Sequence, residues 1–377
     1  MPSFATAIDG MSAMRALKRR LLSVYTYSVA EKLRLDVIGG WAESHFARPG
    51  ASITDFAAWR GEPPGDAEYL IGTSASGLLL LRGGRVHRLP SGRYVYGIAK
   101  GPGGEWYFSE SARFHSRIRR ISLSGISLLR DEVVYWGLPP RVHQIDCMSD
   151  VLYVADTYHN RIVLLDAGQG VKGGYWRRHA SCHYPNGSLP AGRSSSNYAH
   201  FNSIALRSDG AMAILAHNET AKSGRQSEVL FFDSGMTLIS RRETGTSNAH
   251  NPYFDSGRNL VACDSGAGVV RHGDRNYRVG PFPRGLSVSE DYVAVGCSPV
   301  SKDRDRRDRH GAAELLFVNT STGACSRLFL ENTQVHEIRR VDREDFAMGA
   351  QTGRSGIGDA LAALERFRSS DAAAAGP

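Results

Sequence analysis

Six polar side chains recur at one position of a strand pattern that repeats along the chain. Each precedes by two residues an apolar residue of the repeat: Ile98, Ile145, Ile204, Tyr253, Leu286 and Ile338. The six polar residues are Tyr96, His143, Asn202, Asn251, Arg284 and His336. Strands that only pack on their neighbours do not require polar residues at all six places. Phenol, imidazole and guanidinium groups transfer protons or bind anions, so the pattern indicates a functional site.

Two further histidines belong to the same position. His200 precedes Asn202 by two residues, and His250 is adjacent to Asn251. With 13 histidines in 377 residues, three or four at equivalent places are not expected by chance. One hypothesis is a divalent ion (zinc, manganese or iron) that activates water or polarises a substrate carbonyl. Its predicted ligands are His143, His200, His250 and His336.

A second hypothesis needs no metal. A histidine, His143 or His336, is then the general base, Tyr96 donates a proton, and Arg284 holds a carboxylate or phosphate. The predicted substrate-binding residues are Asn202, Asn251 and Arg284. Both hypotheses predict elimination or hydrolysis of a small polar or anionic molecule, as in a lyase or a hydrolase.

Two interpretations without catalysis remain open. The same polar groups could hydrogen-bond one another and ordered water, and so fill a channel. Alternatively, the protein is a binding propeller that recognises a protein, glycan or RNA partner through its loops.

The repeat that must position these residues is clearest at 151–168. Two short β-rich runs, 152–155 and 162–165, flank a polar turn, and Asp-x-Gly closes the unit. Inner strands recur at an average spacing of about 48 residues, which matches a four-stranded propeller blade. The sequence therefore predicts an all-β fold, a single β-propeller of six blades. Strands in 69–89 are expected to complete a blade begun by the C-terminal strands, and a further run at 346–348 leaves seven blades possible.

The propeller is predicted to span residues 66–350. Residues 1–65 form an N-terminal helical extension, with an amphipathic helix expected in 12–33 and an irregular connection in 34–65. Residues 351–377 are expected to contain a short helix, over 356–368, and a disordered Ala-rich tail.

Composition limits the partners and the compartment. The net charge is +8, but the surplus lies in scattered arginines, which disfavours nucleic-acid binding. Five widely spaced cysteines without a CxxC pair favour a reducing compartment, and we expect a cytoplasmic protein. The sequence has no run of about 18 apolar residues, so no membrane span is predicted. Arg15 and Lys18 interrupt the N-terminal apolar pattern, which argues against a secretory signal.

The segment Ala-Asp-Thr-Tyr-His-Asn-Arg-Ile at 155–162 resembles the core of an NHL repeat, a known propeller blade. A wider resemblance, over about 69–342, is to a bacterial family known mainly as a conserved domain of unknown function. It rests on the segments at 77–82, 250–260, 264–268, 282–286 and 292–298. The resemblance implies a single propeller, and some NHL-type propellers are lyases with histidine-bound metal.

Overall fold

The structure is a computed structural model. It describes residues 52–53, 57–92, 94–111, 116–138, 142–149, 151–157, 160–167, 181–183, 199–207, 209–218, 224–246, 248–255, 259–299, 312–346 and 357–365.

The described strands form six antiparallel sheets, which are the six blades of a β-propeller. Blade 1 contains β1 (Ser52–Ile53), β3 (Tyr69–Thr73), β4 (Leu78–Arg82), β5 (Arg85–Arg88) and β26 (Val335–Arg340). Blade 2 contains β6 (Tyr94–Lys100), β7 (Trp106–Ser111), β8 (Ser116–Ser124) and β9 (Ser127–Leu138). Blade 3 contains β10 (Ile145–Met148), β11 (Val151–Asp156), β12 (Arg161–Asp166) and β13 (Ser181–His183).

The other three blades follow in chain order. Blade 4 contains β14 (Phe201–Leu206), β15 (Met212–Ala216), β16 (Glu228–Phe232) and β17 (Leu238–Glu243). Blade 5 contains β18 (Ala249–Phe254), β19 (Leu260–Asp264), β20 (Val269–His272) and β21 (Arg275–Arg278). Blade 6 contains β2 (Ala57–Arg60), β22 (Pro283–Val288), β23 (Tyr292–Cys297), β24 (Ala313–Asn319) and β25 (Cys325–Leu330).

The inner strands form a closed circle around one axis. In order they are β26, β6, β10, β14, β18 and β22, and each contacts the next, with β22 returning to β26. The prediction that C-terminal and early strands share a blade is confirmed, because β26 pairs with β3. Six blades are therefore present in the described part of the chain. Phe346, from the run that left seven blades open, lies in a turn.

The hydrophobic core is divided among the six interfaces between neighbouring blades. In β4, Leu79 and Leu81 face blade 6, whereas Leu78 and Leu80 face blade 2. Successive side chains of a strand point to opposite faces, and here both faces are buried. This burial explains why the strands read as continuous apolar runs and not as alternating ones.

Two short N-terminal strands add an outer edge to the blades beside the closure. Strand β1 pairs with β5 of blade 1, and β2 pairs with β25 of blade 6. Trp59 in β2 contacts Phe317 with its ring tilted by 41°, and its Nε1 donates to the carbonyl of Gly84 in blade 1 at 2.7 Å. These strands lie in the stretch expected to be an irregular connection. The helix predicted for 12–33 lies outside the described residues.

The described residues contain one helix, α1 (Ile357–Leu361), in the region where a C-terminal helix was predicted. Its apolar side chains pack against blades 5 and 6. No helix in the described ranges is both long and apolar enough to cross a membrane.

Candidate functional site

The inner strands carry irregularities at one end of the channel. Five of them shift register against their partner, between Val95/Ile98, Phe201/Ser203, His250/Tyr253, Arg284/Leu286 and Val335/Glu337. In the remaining blade, His143 and Gln144 immediately precede β10. A bulge frees a residue from the ladder and redirects its side chain, which is why bulges are common beside active sites.

Blades 2 and 3 approach each other so closely here that the inner strand of blade 2 requires glycine. A Cβ added at Gly97 would lie 2.5 Å from the backbone nitrogen of Ile145 in the next blade. At Gly285, φ is +71°, a left-handed conformation that suits glycine. The inner strands therefore meet backbone to backbone at these bulges.

All six residues singled out by the repeat line one cavity. This cavity is partly open to solvent, and its walls also include Gln144, Ser203, His250 and Glu337. His200 does not line this cavity directly. It lies beside it, with its ring 4.8 Å from that of His143.

The rings at the mouth form a closed circuit, which we call the histidine ring. Tyr96 contacts His143 and His336 at 5.0 and 4.4 Å between ring centroids. His217 contacts His200 and His250 at 5.3 and 4.9 Å. The circuit continues from His250 to Phe282, from Phe282 to Arg284, and from Arg284 to His336. Every blade contributes to it, with these members: Tyr96, His143, His200, His217, His250, Phe282, Arg284 and His336.

Hydrogen bonds fix the tautomer of His250. The Ser265 hydroxyl donates to the carbonyl of Pro283 at 2.7 Å. His250 Nδ1 lies 2.7 Å from that hydroxyl oxygen and 2.9 Å from the carbonyl oxygen of Asn248. Both are acceptors toward this nitrogen, so Nδ1 carries the proton and Nε2 carries the lone pair.

Burial keeps His250 neutral. Desolvation, with the nearby charges of Arg284, His217 and His143, lowers the pKa of this imidazole well below its usual value. A neutral imidazole with an unprotonated Nε2 can accept a proton at pH 7.

The same hydrogen-bond arrangement, a hydroxyl that donates to a carbonyl and accepts from Nδ1, recurs at His143. The Thr157 hydroxyl donates to the carbonyl of Phe201 at 2.6 Å, and His143 Nδ1 lies 3.0 Å from the hydroxyl oxygen. His143 therefore donates from Nδ1 and carries its lone pair on Nε2. Thr157 and Ser265 both follow the acidic residue that ends the second strand of their blade.

His336 and His217 take the opposite tautomer. Arg284 Nη1, which can only donate, lies 3.2 Å from His336 Nδ1, so this nitrogen accepts and Nε2 carries the proton. His217 Nε2 donates to the carbonyl of Ala249 at 2.5 Å. The ring therefore presents bases at His143 and His250 and a proton donor at His336.

Strained backbone supports this arrangement. His200, Asn251 and Phe282 adopt positive φ angles of 49°, 49° and 43°. Such angles are costly for residues other than glycine and cluster at functional sites.

Below the ring lies a set of more deeply buried polar groups, which we call the polar floor: Gln144, Asn202, Ser203, Asn251 and Glu337. The Asn251 amide oxygen accepts from Gly285 N at 2.8 Å, and its Nδ2 donates to Glu337 Oε1 at 3.1 Å. Arg339 Nη1 also lies 2.8 Å from Glu337 Oε1. Burial raises the pKa of Glu337 to about 8 even though Arg339 opposes that shift.

The arrangement was tested for the predicted metal ligands. Within the described ranges, no group of three or more His, Cys, Asp or Glu side chains is placed to hold a metal ion. The contacts of the histidine ring instead pack the four predicted ligands against neighbouring rings or Arg284: His143, His200, His250 and His336. The metal hypothesis itself stays a prediction.

Sequence reasoning placed the six channel positions but missed their neighbours. Gln144, Ser203 and Glu337 each follow one of the six positions and face the same cavity. His217 and Phe282 complete the ring from outside the inner strands. A usable signal existed, because the position after each of the six is either polar or a glycine or proline.

Comparison with solved structures supports the fold. Similar chains include a nidogen/laminin complex, with a TM-score of 0.50, 11% identity, and coverage of 73% of this chain and 98% of that chain. They also include a streptogramin B lyase, with a TM-score of 0.38, 14% identity, and coverage of 62% and 78%. A candidate 6-phosphogluconolactonase from Bacteroides fragilis has a TM-score of 0.41, 11% identity, and coverage of 75% and 100%. No family model and no curated protein matches this chain. The nidogen/laminin match, at 11% identity, shows the propeller fold alone.

Proposed function

We propose that the protein is an enzyme that transfers protons to and from a small polar substrate bound at the channel mouth. The observation that carries the proposal is His250. Its imidazole is buried and neutral, its Nδ1–H is held by two acceptors, and its Nε2 lone pair belongs to a ring that lines the cavity. A purely structural histidine does not need this combination.

Each ring residue has a role in this proposal. His250, with His143 as a second base, removes a proton from a substrate carbon or from water. His336 donates its Nε2 proton to the leaving group, and Arg284 keeps its Nδ1 an acceptor. Tyr96, whose ring lies between those of His143 and His336, is a second proton donor. Elimination results when the base acts on carbon, and hydrolysis when it acts on water.

The proposal also includes roles for the NHL-like segment, a divalent ion and a cytoplasmic location. The NHL-like segment at 155–162 supplies Thr157, which positions His143. A divalent ion that recruits histidines of the ring would add Lewis acidity, and elemental analysis of untagged protein tests for it. The free thiols of Cys147, Cys263, Cys297 and Cys325 fit a cytoplasmic protein.

Hydrogen–deuterium exchange tests the proposal without knowledge of the full reaction. The protein is incubated in D2O with a panel of hydroxy acids, oxo acids, esters and lactones, and proton NMR follows each carbon-bound hydrogen and each ester signal. We expect at least one compound to exchange or to be cleaved. The variant His250→Asn keeps a donor at the Nδ1 place but lacks Nε2, and should be slower by about 10²–10⁴-fold.

The matched control is His87→Asn. His87 lies in β5, is also buried, and also has a lowered pKa through desolvation. It should retain full activity. Equal rates in the His250 and His87 variants, or a panel in which nothing exchanges or is cleaved, would contradict the proposal. If no compound reacts and the protein binds a protein, glycan or RNA partner, the alternative of a binding propeller is favoured.

A further inference from the structure

Three buried atoms of the polar floor lack a hydrogen-bond partner among the described residues. They are Gln144 Nε2, Asn202 Nδ2 and Glu337 Oε2. Their residues are 2%, 3% and 0% exposed, and all three line the same cavity. An unsatisfied buried polar atom costs about 1–3 kcal/mol, so three of them in one cavity indicate a group that satisfies them.

The two amides are oriented with their nitrogen atoms toward this group. Gln144 Oε1 accepts from the backbone N–H of Ile204 at 2.8 Å, which fixes the opposite end as the donor. Asn202 Oδ1 accepts from the Ser203 hydroxyl at 2.8 Å, and that hydroxyl in turn accepts from Asn251 N at 3.2 Å. Each amide therefore presents N–H donors, because its oxygen is already bonded.

The third unpartnered atom, Glu337 Oε2, is a donor as well when the carboxyl is protonated. Oε1 accepts from Asn251 Nδ2 and lies 2.8 Å from the Arg339 cation, so a proton on this carboxyl resides on Oε2. Burial raises the pKa of the Glu337 carboxyl to about 8, which leaves it largely protonated at pH 7. The charged or titratable groups around it are Arg339, Asp345, Asp146, Tyr253 and Cys263.

We propose that the polar floor binds a carboxylate group of the substrate through these three donors. A carboxylate offers four lone-pair sites, whereas a single carbonyl oxygen offers two, so three donors suit the carboxylate. Phosphate is better matched by arginine or lysine. Here Arg339 is engaged by Glu337 and by the Tyr253 hydroxyl, and Arg284 is engaged by His336.

This inference rests on the proposed function for its chemistry and defines the substrate class. A carboxylate at the floor places the adjoining carbon toward the histidine ring. His250 would then remove a proton from a carbon near a carboxylate, or direct water to one. The substrate class is a small carboxylic acid.

The binding test uses acetate, formate, inorganic phosphate and acetamide as separate probes. Proton–nitrogen NMR follows the side-chain amide signals of Gln144 and Asn202, which are assigned from the variants Gln144→Glu and Asn202→Leu. Acetate and formate should shift both signals with saturation, whereas phosphate and acetamide should not. Gln144→Glu replaces a donor by a negative charge and should weaken acetate binding more than tenfold.

Two further variants sharpen the test. Gln226→Glu makes the same charge change at an exposed position and should leave acetate affinity unchanged. Glu337→Gln keeps an acceptor at Oε1 and a donor at the Oε2 place at every pH. Wild-type affinity for acetate should fall as the pH rises through about 8, since Oε2 then loses its proton, and the affinity of this variant should not.

The outcomes separate this inference from the proposed function. Acetate binding that survives in His250→Asn, without exchange in any compound, supports the floor and refutes the catalysis. If Gln144→Glu still catalyses exchange and its affinity for acetate is unaltered, carboxylate binding by the polar floor is refuted and the proposed catalysis is not. Amide signals that respond equally to acetamide, respond to phosphate only, or do not respond to any probe overturn the carboxylate assignment.

Discussion

Replacement of Glu337 by glutamine should change how stability depends on pH. The folded state raises the pKa of this carboxyl from 4.5 to about 8, because the group is fully buried. Below pH 4.5 both the folded and the unfolded chain carry the proton. Between the two values only the folded chain does, so stability falls as the pH rises and is lost through about pH 8.

The magnitude follows from that difference. One pH unit corresponds to about 1.4 kcal/mol per proton, so the full interval contributes on the order of 5 kcal/mol. Glu337→Gln keeps an oxygen that accepts from Asn251 and lies against Arg339, but it cannot ionise. The free energy of unfolding of the wild type, minus that of the variant, should fall by about 1.4 kcal/mol per pH unit between pH 5 and pH 8.

Chemical denaturation at half-unit pH steps measures this difference and cancels the contributions of other titrating groups. Glu337→Leu serves as a comparison, because it removes the acceptor of Asn251 Nδ2 and should cost about 1–3 kcal/mol at low pH, where the carboxyl is already neutral. Parallel curves for the wild type and Glu337→Gln between pH 5 and pH 8 would show that this carboxyl is ionised throughout, and would refute the reasoning.

Three more predictions concern positioning and packing. Thr157→Val removes the acceptor of the His143 Nδ1 proton, so nitrogen NMR should show a shift toward the other tautomer. Gly97→Ala places a methyl group 2.5 Å from a backbone nitrogen of the next blade and should cost about 1–3 kcal/mol in denaturant unfolding. Trp59→Ala removes a hydrogen bond and a ring contact, and should cost roughly 2 kcal/mol in the same assay.

Matched controls accompany these three variants. Thr246→Val removes a hydroxyl away from His143 and should leave its NMR signals unchanged. Gly103→Ala contacts only the flexible end of Glu105, and Leu129→Ala truncates an exposed side chain, so both should cost less than about 0.5 kcal/mol. An unchanged tautomer in Thr157→Val, or costs equal to those of the controls, would contradict the corresponding prediction.

Much of the propeller was predictable because its repeat is carried by local patterns. Inner-strand residues such as Ile145 and Ile204 lie at the same register in their blades. The residue two positions before each of them could therefore be predicted to line the channel. The closure between β26 and β3 followed from the count of strands. The short strand at Ala57–Arg60 was not predictable, because its partner β25 lies roughly 270 residues later and its own residues are half-exposed.

The polar floor was missed for a physical reason. Alternation in a regular strand sends the residue after a channel residue to the opposite face. The bulges at Asn202 and His336 suspend that rule, so Ser203 and Glu337 face the cavity as well. The sequence signal for these bulges is the polar residue, glycine or proline after each channel position, and without it Gln144 and Glu337 read as ordinary strand residues.

The two N-terminal strands lie at the outer edge of the propeller, on either side of the boundary between blade 1 and blade 6. Force applied near residue 52 would peel Ser52–Ile53 and then Ala57–Arg60 from their partners, breaking a few bonds at a time. The inner strands around the axis would carry none of that load until both had detached. The strands that detach first are thus separate from the channel, and the polar groups that line the channel can keep their geometry after the outer strands are lost.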